Sequence, residues 1–303
     1  MTVPKTASSF LLRVKKRMQN LVKSIRGFFS NIFSNTKASI GFCILVFFVL
    51  MAVFGPIMFP YDTSTDWTNR YADPSAEHWL GTDELGRDVF RQLVNGSRDV
   101  MVIAFMTGVF TVGIGTLLGI ISGYFGGIVD KIIQMITNLF LTIPGFPIML
   151  LLAQLLTIED PFSFALVLSV WNWAGLCRAI RAQILSLKER DFIVICRVMN
   201  MSNTHIMLKE LMPNISSYIF INFIATMKSA ITGSMGIMML GLAAFEPSNW
   251  GAMLHRARMQ GLMDPKVVRF MLVPLVAIVL FQIGALLFAN GMDEVLNPRL
   301  RVD

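Results

Sequence analysis

Residues 38–61 read ASIGFCILVFFVLMAVFGPIMFPY. The stretch carries no charge and is rich in Phe, Val, Ile and Leu. Crossing the hydrocarbon core of a bilayer takes roughly 20 apolar residues of helix. Backbone polar groups find no water there, so a helix must satisfy them internally. Residues 38–61 are therefore a first membrane span, and Pro56 and Pro60 mark its outer end.

The rest of the chain repeats the pattern. Of its 303 residues, 54% are hydrophobic and only 15% charged, against about 25% charged in soluble chains. Residues 100–129, 132–158, 162–177, 215–242 and 270–292 form further apolar blocks. The expected fold is all-α: a polytopic membrane protein of six transmembrane helices. It divides into a basic amphipathic segment at 1–37, a first span with its external segment at 38–99, and a five-helix core at 100–303.

Charge sets the orientation. Lys5, Arg13, Lys15, Lys16, Arg17, Lys23, Arg26 and Lys37 precede the first span, with no acid among them. By the positive-inside rule this end is cytoplasmic, and it is too long and basic for a cleaved signal peptide. Val14, Met18, Leu21, Ile25, Phe28 and Ile32 recur at helical spacing, so the segment should lie on the inner leaflet as an interfacial helix. Six spans then put both termini in the cytoplasm.

The external segment 62–99 is mainly acidic, as expected outside. Within it, Thr82 is expected to cap a short surface helix beginning at Asp83 and Glu84 and stopping at Gly96. Parity also places 246–269 outside. There Arg256, Arg258, Lys266 and Arg269 outnumber Glu246 and Asp264, against the charge rule. Glycines crowd the second span, allowing close helix approach, and residues 123–131 turn the chain. Pro144 and Pro147 should kink the third span. The fourth span reads as short, with Arg178 and Arg181 near the inner interface.

Residues 186–214, SLKERDFIVICRVMNMSNTHIMLKELMPN, are the longest polar run in the second half. They lie between two membrane-length blocks. Short helices there would present a surface to a partner in the water phase, so this is the candidate coupling loop.

Catalytic devices are absent from the sequence. There is no GxxxxGK[ST] nucleotide loop, no HExxH and no GxSxG. Cys43, Cys177 and Cys196, like His78, His205 and His255, are scattered without metal-ligand spacing. The net charge of +7 comes with no nucleic-acid motif. Lys228 is the one ionisable residue well inside an apolar block. It either lines a pathway and meets a carboxylate substrate, or it snorkels or pairs with a backbone carbonyl. Asn172 and Asn222, with Gln154 and Gln282, are pathway candidates or interhelical glue.

Residues 74–90, PSAEHWLGTDELGRDVF, resemble the stretch after the first span in the second permease of bacterial dipeptide, oligopeptide and nickel ABC importers. Gly81, Thr82, Asp83, Gly86, Arg87 and Asp88 carry this fingerprint. GYFGG at 123–127 with Asp130, Ile143-Pro144, LGL at 240–242, Trp250-Gly251 with Met253 and Leu254, and NPRLR at 297–301 are similar to the same family. The resemblance implies a plasma-membrane subunit with no cofactor or catalysis of its own. Its implied partners are a second homologous permease, two ABC ATPases that bind ATP and Mg, an extracytoplasmic solute-binding protein and membrane lipid, with no nucleic acid.

The family's coupling motif begins Glu-Ala-Ala. Here Val194, Ile195 and Cys196 stand at those positions, so the glutamate is missing, and Asn200 replaces a glycine. Asn tolerates the left-handed geometry that ends a helix. Asp191, Phe192, Ile195, Cys196, Arg197, Asn200, Ser202 and Pro213 are the implied coupling residues. Phe192, Ile193, Ile195, Cys196 and Met199 would form an apolar side suited to a groove. In the implied mechanism the ATPases move this loop, and the fourth and fifth spans tilt with it. The implied cargo is di- or oligopeptides. A nickel or nickel-chelate permease, and an ion-gradient-driven secondary transporter, are the alternatives.

Overall fold

A computed structural model describes residues 30, 32–156, 158, 160–243, 248–261 and 263–296. Most of the expected interfacial helix, and all of the 297–301 fingerprint, lie outside those residues. The described elements are α1 (Thr36–Met58), α2 (Val89–Phe125), α3 (Gly127–Thr142), α4 (Gly145–Leu155), α5 (Pro161–Leu187), α6 (Asp191–Val198), α7 (Ser216–Met239), α8 (Trp250–Gln260) and α9 (Pro265–Leu296). Among the described residues the one β-type pairing is an isolated bridge between Thr82 and Asp88.

α1, α2, α5 and α9 are long and apolar enough to cross a membrane, and α3 with α4 adds a fifth if that bent pair is one span. α7 is long enough but misses the apolarity, because Asn222, Thr226, Lys228, Ser229, Thr232 and Ser234 interrupt it. Among the described residues, length and apolarity thus support four or five spans where the sequence reading expects six.

Glycines set the tightest packing. A Cβ on Gly119 of α2 would stand 2.7 Å from Ile180 Cβ and 2.8 Å from the Cys177 carbonyl of α5. One on Gly123 would stand 2.8 Å from Ile184 Cβ. α1 and α9 meet in the same way. A Cβ on Gly41 would reach the Phe288 nitrogen at 2.3 Å, and one on Gly284 would reach Ile44 Cγ2 at 2.5 Å. Small residues at such contacts let backbones touch where lipid gives no hydrophobic drive for association. Phe48, packed edge-on to Phe281 and Trp250 at 5.6 and 5.9 Å, fills the centre of the larger core.

Three local expectations are corrected. No short helix starts at Thr82. Its hydroxyl accepts from the Ala72 amide at 2.7 Å and donates to the Asn69 carbonyl, so it is spent on the loop. The helix begins at Val89 instead, capped by Asp88, whose Oδ1 accepts from the Arg91 amide at 2.8 Å. Gly96 does not stop it, because it lies where α2 meets the Ser248 backbone, and α2 runs on for 37 residues across the 99/100 division. Next, the third span is broken rather than kinked. α3 and α4 meet at 86°, with Pro144 before α4 and Pro147 in its first turn, where a missing N–H costs no helix bond. Finally, α5 is not short. It has 27 residues, and its arginines have partners: Arg181 grips Asp130 at 2.5 and 2.6 Å, and Arg178 donates to Asn138 at 2.6 Å.

The turn at 123–131 is present, made by Gly126 (φ 66°) and Gly127 (φ 55°). Two of the four cations that oppose the charge rule, Arg256 and Arg269, have a physical account. Arg256 lies 3.8 Å from Asp83 and 3.3 Å from Glu84, and Arg269 lies 2.7 Å from Asp73. They answer the acids of the 62–99 segment, so both segments occupy one end of the bundle.

Candidate functional site

The two ends of α2 define two sites. At its first end sits the loop 81–88. Gly81 and Gly86 have φ of 75° and 74°, and a Cβ on Gly86 would stand 1.9 Å from the Asp66 carbonyl. Asp83 is fully buried and organises the loop: Oδ1 accepts from the Leu85 and Arg87 amides at 2.9 Å each, and Oδ2 accepts from Gln92 Nε2 at 2.8 Å. Gln92 Oε1 in turn accepts from Arg256 Nη2 at 2.6 Å. Arg256 also lies over the Phe270 ring at 5.8 Å. The loop, α2, α8 and α9 thus share one buried polar network. Burial, reinforced by the charge of Asp83, pushes the Glu84 carboxyl above its ordinary range. Asp88 accepts from the helix and pairs with His78 Nδ1 at 2.9 Å. Arg87 is half-buried beside an open cavity of about 590 Å³ walled by Phe59, Trp79 and Phe90.

At the other end of α2 sits the loop 186–214. α6 ends in a left-handed cap. Asn200 has φ 55°, its amide donates to the Arg197 carbonyl at 2.9 Å, and the Met201 amide donates to the Cys196 carbonyl at 3.1 Å. This paired arrangement satisfies carbonyls that a helix end leaves orphaned. Ser202 then starts the next turn, accepting from the His205 amide at 3.3 Å. Residues Ile206–Leu211 wind as a π-helix just before Pro213, whose ring leaves no donor for the Lys209 carbonyl.

α6 has two apolar faces rather than one. Ile193 and Cys196 are buried, packed with Tyr124, Ile180, Ile184, Ile206 and Leu211. Phe192, Val194, Ile195, Val198 and Met199 are exposed, Val198 at 80%. Exposed apolar patches of this kind occur where proteins meet other proteins or lipid. Asp191 opens α6, with its charge in the first turn. Arg197 lies over the Tyr124 ring at 5.5 Å.

The three pathway candidates are not joined by any hydrogen bond among the described residues. Asn222 donates to the Tyr218 carbonyl and Asn172 to the Leu168 carbonyl, each within its own helix. Lys228 is half-buried. Its carbonyl accepts from Gln282 Nε2 at 3.1 Å, which ties α7 to α9. Met227 beside it lines a largely apolar groove of about 510 Å³, with Met101, Phe105 and Met106 of α2 and Val49 and Val53 of α1. Sequence reasoning missed Gln92 and Tyr124. Gln92 stands in no motif, and Tyr124, although it lies within GYFGG at 123–127, carries no sign there of its partners Arg197 and Asn203, which only the fold brings to it.

A bundle of long apolar helices with a short, outward-facing helix at one end is the architecture of a polytopic membrane protein. The family described as binding-protein-dependent transport system inner membrane component matches residues 115–302, and the N-terminal transmembrane domain of oligopeptide transport permease C matches residues 25–74. The chain belongs to this permease family, and it is not an enzyme, since ATP hydrolysis lies in separate subunits. It is 30% identical over 276 residues to the dipeptide transport system permease protein DppC of Alkalihalophilus pseudofirmus, covering 90% of this chain and 89% of that one. To the oligopeptide transport system permease protein OppC of Bacillus subtilis it is 29% identical, covering 88% and 87%. To the glutathione transport system permease protein GsiD of Pectobacterium atrosepticum it is 30% identical, covering 84% of each. A solved structure of the MetNI methionine ABC transporter, in inward-facing conformations, has the same fold at TM-score 0.52 and 16% identity, covering 68% of this chain and 97% of that one.

Proposed function

We propose that the chain carries di- or oligopeptides into the cytoplasm, beside a second homologous permease, and that two ABC ATPases, which bind the ATP and Mg, drive it through the loop 186–214. An extracytoplasmic solute-binding protein delivers the cargo to the opposite end. The observation that carries this reading is the exposed face of α6. Phe192, Ile195 and Met199 stand out from the bundle while Ile193 and Cys196 anchor the same helix to it. A surface that is apolar outward and rooted inward suits a docking element that must transmit force. Cys196 therefore contributes by packing, whereas Phe192 and Ile195 contribute by contact.

In this reading α7 and the bent α3–α4 pair both span the bilayer, giving six spans with both termini cytoplasmic. The pairing of Arg256 and Arg269 with Asp83, Glu84 and Asp73 supports placing both of those segments outside. The groove lined by Met227 is the proposed cargo wall, and Lys228 is the next residue along α7.

Replacing Phe192 by Ala together with Arg197 by Met should abolish most ATP-driven uptake in proteoliposomes while the subunits still co-purify. Wild-type uptake by the double variant would refute the docking role. Lys228→Met should weaken uptake of peptides with a free carboxyl terminus more than of amidated ones. Equal effects on both would show that Lys228 does not meet the cargo.

A further inference from the structure

Tyr124 occupies the last turn of α2, outside the loop 186–214, yet both halves of that loop converge on it. Arg197 of α6 lies over its ring at 5.5 Å. Its hydroxyl donates to Asn203 Oδ1 at 2.8 Å, just past the left-handed cap. The ring itself is 9% exposed and packs in the same cluster as Ile193 and Cys196. A tyrosine suits such a place because its body is apolar, its face attracts a cation and its tip hydrogen-bonds.

The surroundings fix this residue to more than the loop. Gly123, the residue before it, and Gly119 bring α2 against α5 at backbone contact. Asp130 of α3 holds Arg181 of α5 through two hydrogen bonds and accepts from Ser122 of α2 at 2.5 Å. α2, α3 and α5 are thereby clamped together within two turns of Tyr124. From there α2 runs unbroken to Val89, a rise of about 55 Å for a helix of that length. It ends on the Asp83–Gln92–Arg256 network.

We propose that Tyr124 is a positioning residue for coupling: it passes movement of the loop 186–214 into the clamped α2–α5 pair, and α2 carries that movement to the opposite end of the same chain. This rests on the docking role proposed above and deepens it. The fourth and fifth spans, α5 and α7, are joined to the loop by the chain itself. α2 is joined to it by Tyr124, Arg197 and Asn203, so side chains decide whether it follows.

The test uses the complete importer in proteoliposomes and reads ATP hydrolysed per peptide taken up. Tyr124→Leu keeps apolar bulk but removes both contacts, and should raise that ratio at least fivefold. Tyr124→Phe keeps the ring face and loses the hydrogen bond, and should fall between wild type and Tyr124→Leu. Adding Asn203→Ala to Tyr124→Leu should raise the ratio no further, because the two act through one contact. A ratio equal to wild type in Tyr124→Leu overturns the proposal. Should Tyr124→Leu fail to assemble, Asn203→Ala on the exposed loop decides the matter: a raised ratio supports the proposal and an unchanged one overturns it. A wild-type complex whose uptake ignores ATP would instead overturn the docking role itself.

Discussion

At the scale of single residues, the buried charges beside α2 are the most sensitive point. Arg256 is the cation facing both Asp83 and Glu84, and its side chain is 18% exposed. Removing one partner of a buried ion pair typically costs about 3–5 kcal/mol, because the other charge stays desolvated. Arg256→Met should therefore lower the thermal stability of the purified complex by an amount of that order; a change within about 0.5 kcal/mol, the range of an ordinary surface substitution, would show that the network is solvated. Glu84 adds a pH dependence. Its pKa is raised in the fold, so its contribution is fully present below the ordinary glutamate value of about 4.3. It is lost as pH rises through the raised value. Glu84→Gln cannot ionise, so its melting temperature should fall less than that of wild type over the mildly acidic range. Parallel curves would remove Glu84 as the titrating group. The sequence shows the acids and Arg87 of this loop as a fingerprint. It does not show Gln92, which is a neutral residue inside a helix and gains meaning only from lying between Asp83 and Arg256.

At the scale of elements, hydropathy made most spans legible, and the errors came where local signals competed with tertiary contacts. Thr82 with Asp83 and Glu84 has the composition of a helix start. The loop instead uses that hydroxyl and those carboxylates to satisfy its own backbone and Arg256. Gly96 reads as a stop because glycine favours helix ends, yet here it serves a close approach. The glycines of α2 were readable as contact residues, although their partner α5 was not. The left-handed turn at Asn200 was readable: its φ of 55° is what Asn in place of glycine implies. Among these contacts Gly119 offers the cleanest test. Overpacking a close-packed site costs about 1–3 kcal/mol. Gly119→Val, facing Ile180 Cβ at 2.7 Å, should destabilise the complex by that order and impair uptake. Normal stability would mean that α2 and α5 separate easily, and with them the clamp around Tyr124.

At the scale of the whole molecule, one continuous helix, the 37-residue α2, links the two ends of the bundle. The network at one end of α2 is built from residues the sequence marks as polar, and the loop 186–214 at the other mixes polar and apolar residues. Which face of α6 points outward is a property of the assembled bundle alone, since Ile193 and Ile195 are alike in composition and opposite in exposure. That outward face carries the central claim, and Val198 is its most exposed member at 80%. The most direct measurement places a photo-crosslinking amino acid at Val198 in the assembled importer and identifies what it captures in membranes. Capture of an ABC ATPase subunit, with a yield that changes when ATP is added, is the predicted result. No capture of an ATPase from Val198, or from Ile195 on the same face, in a complex that still transports would contradict the account.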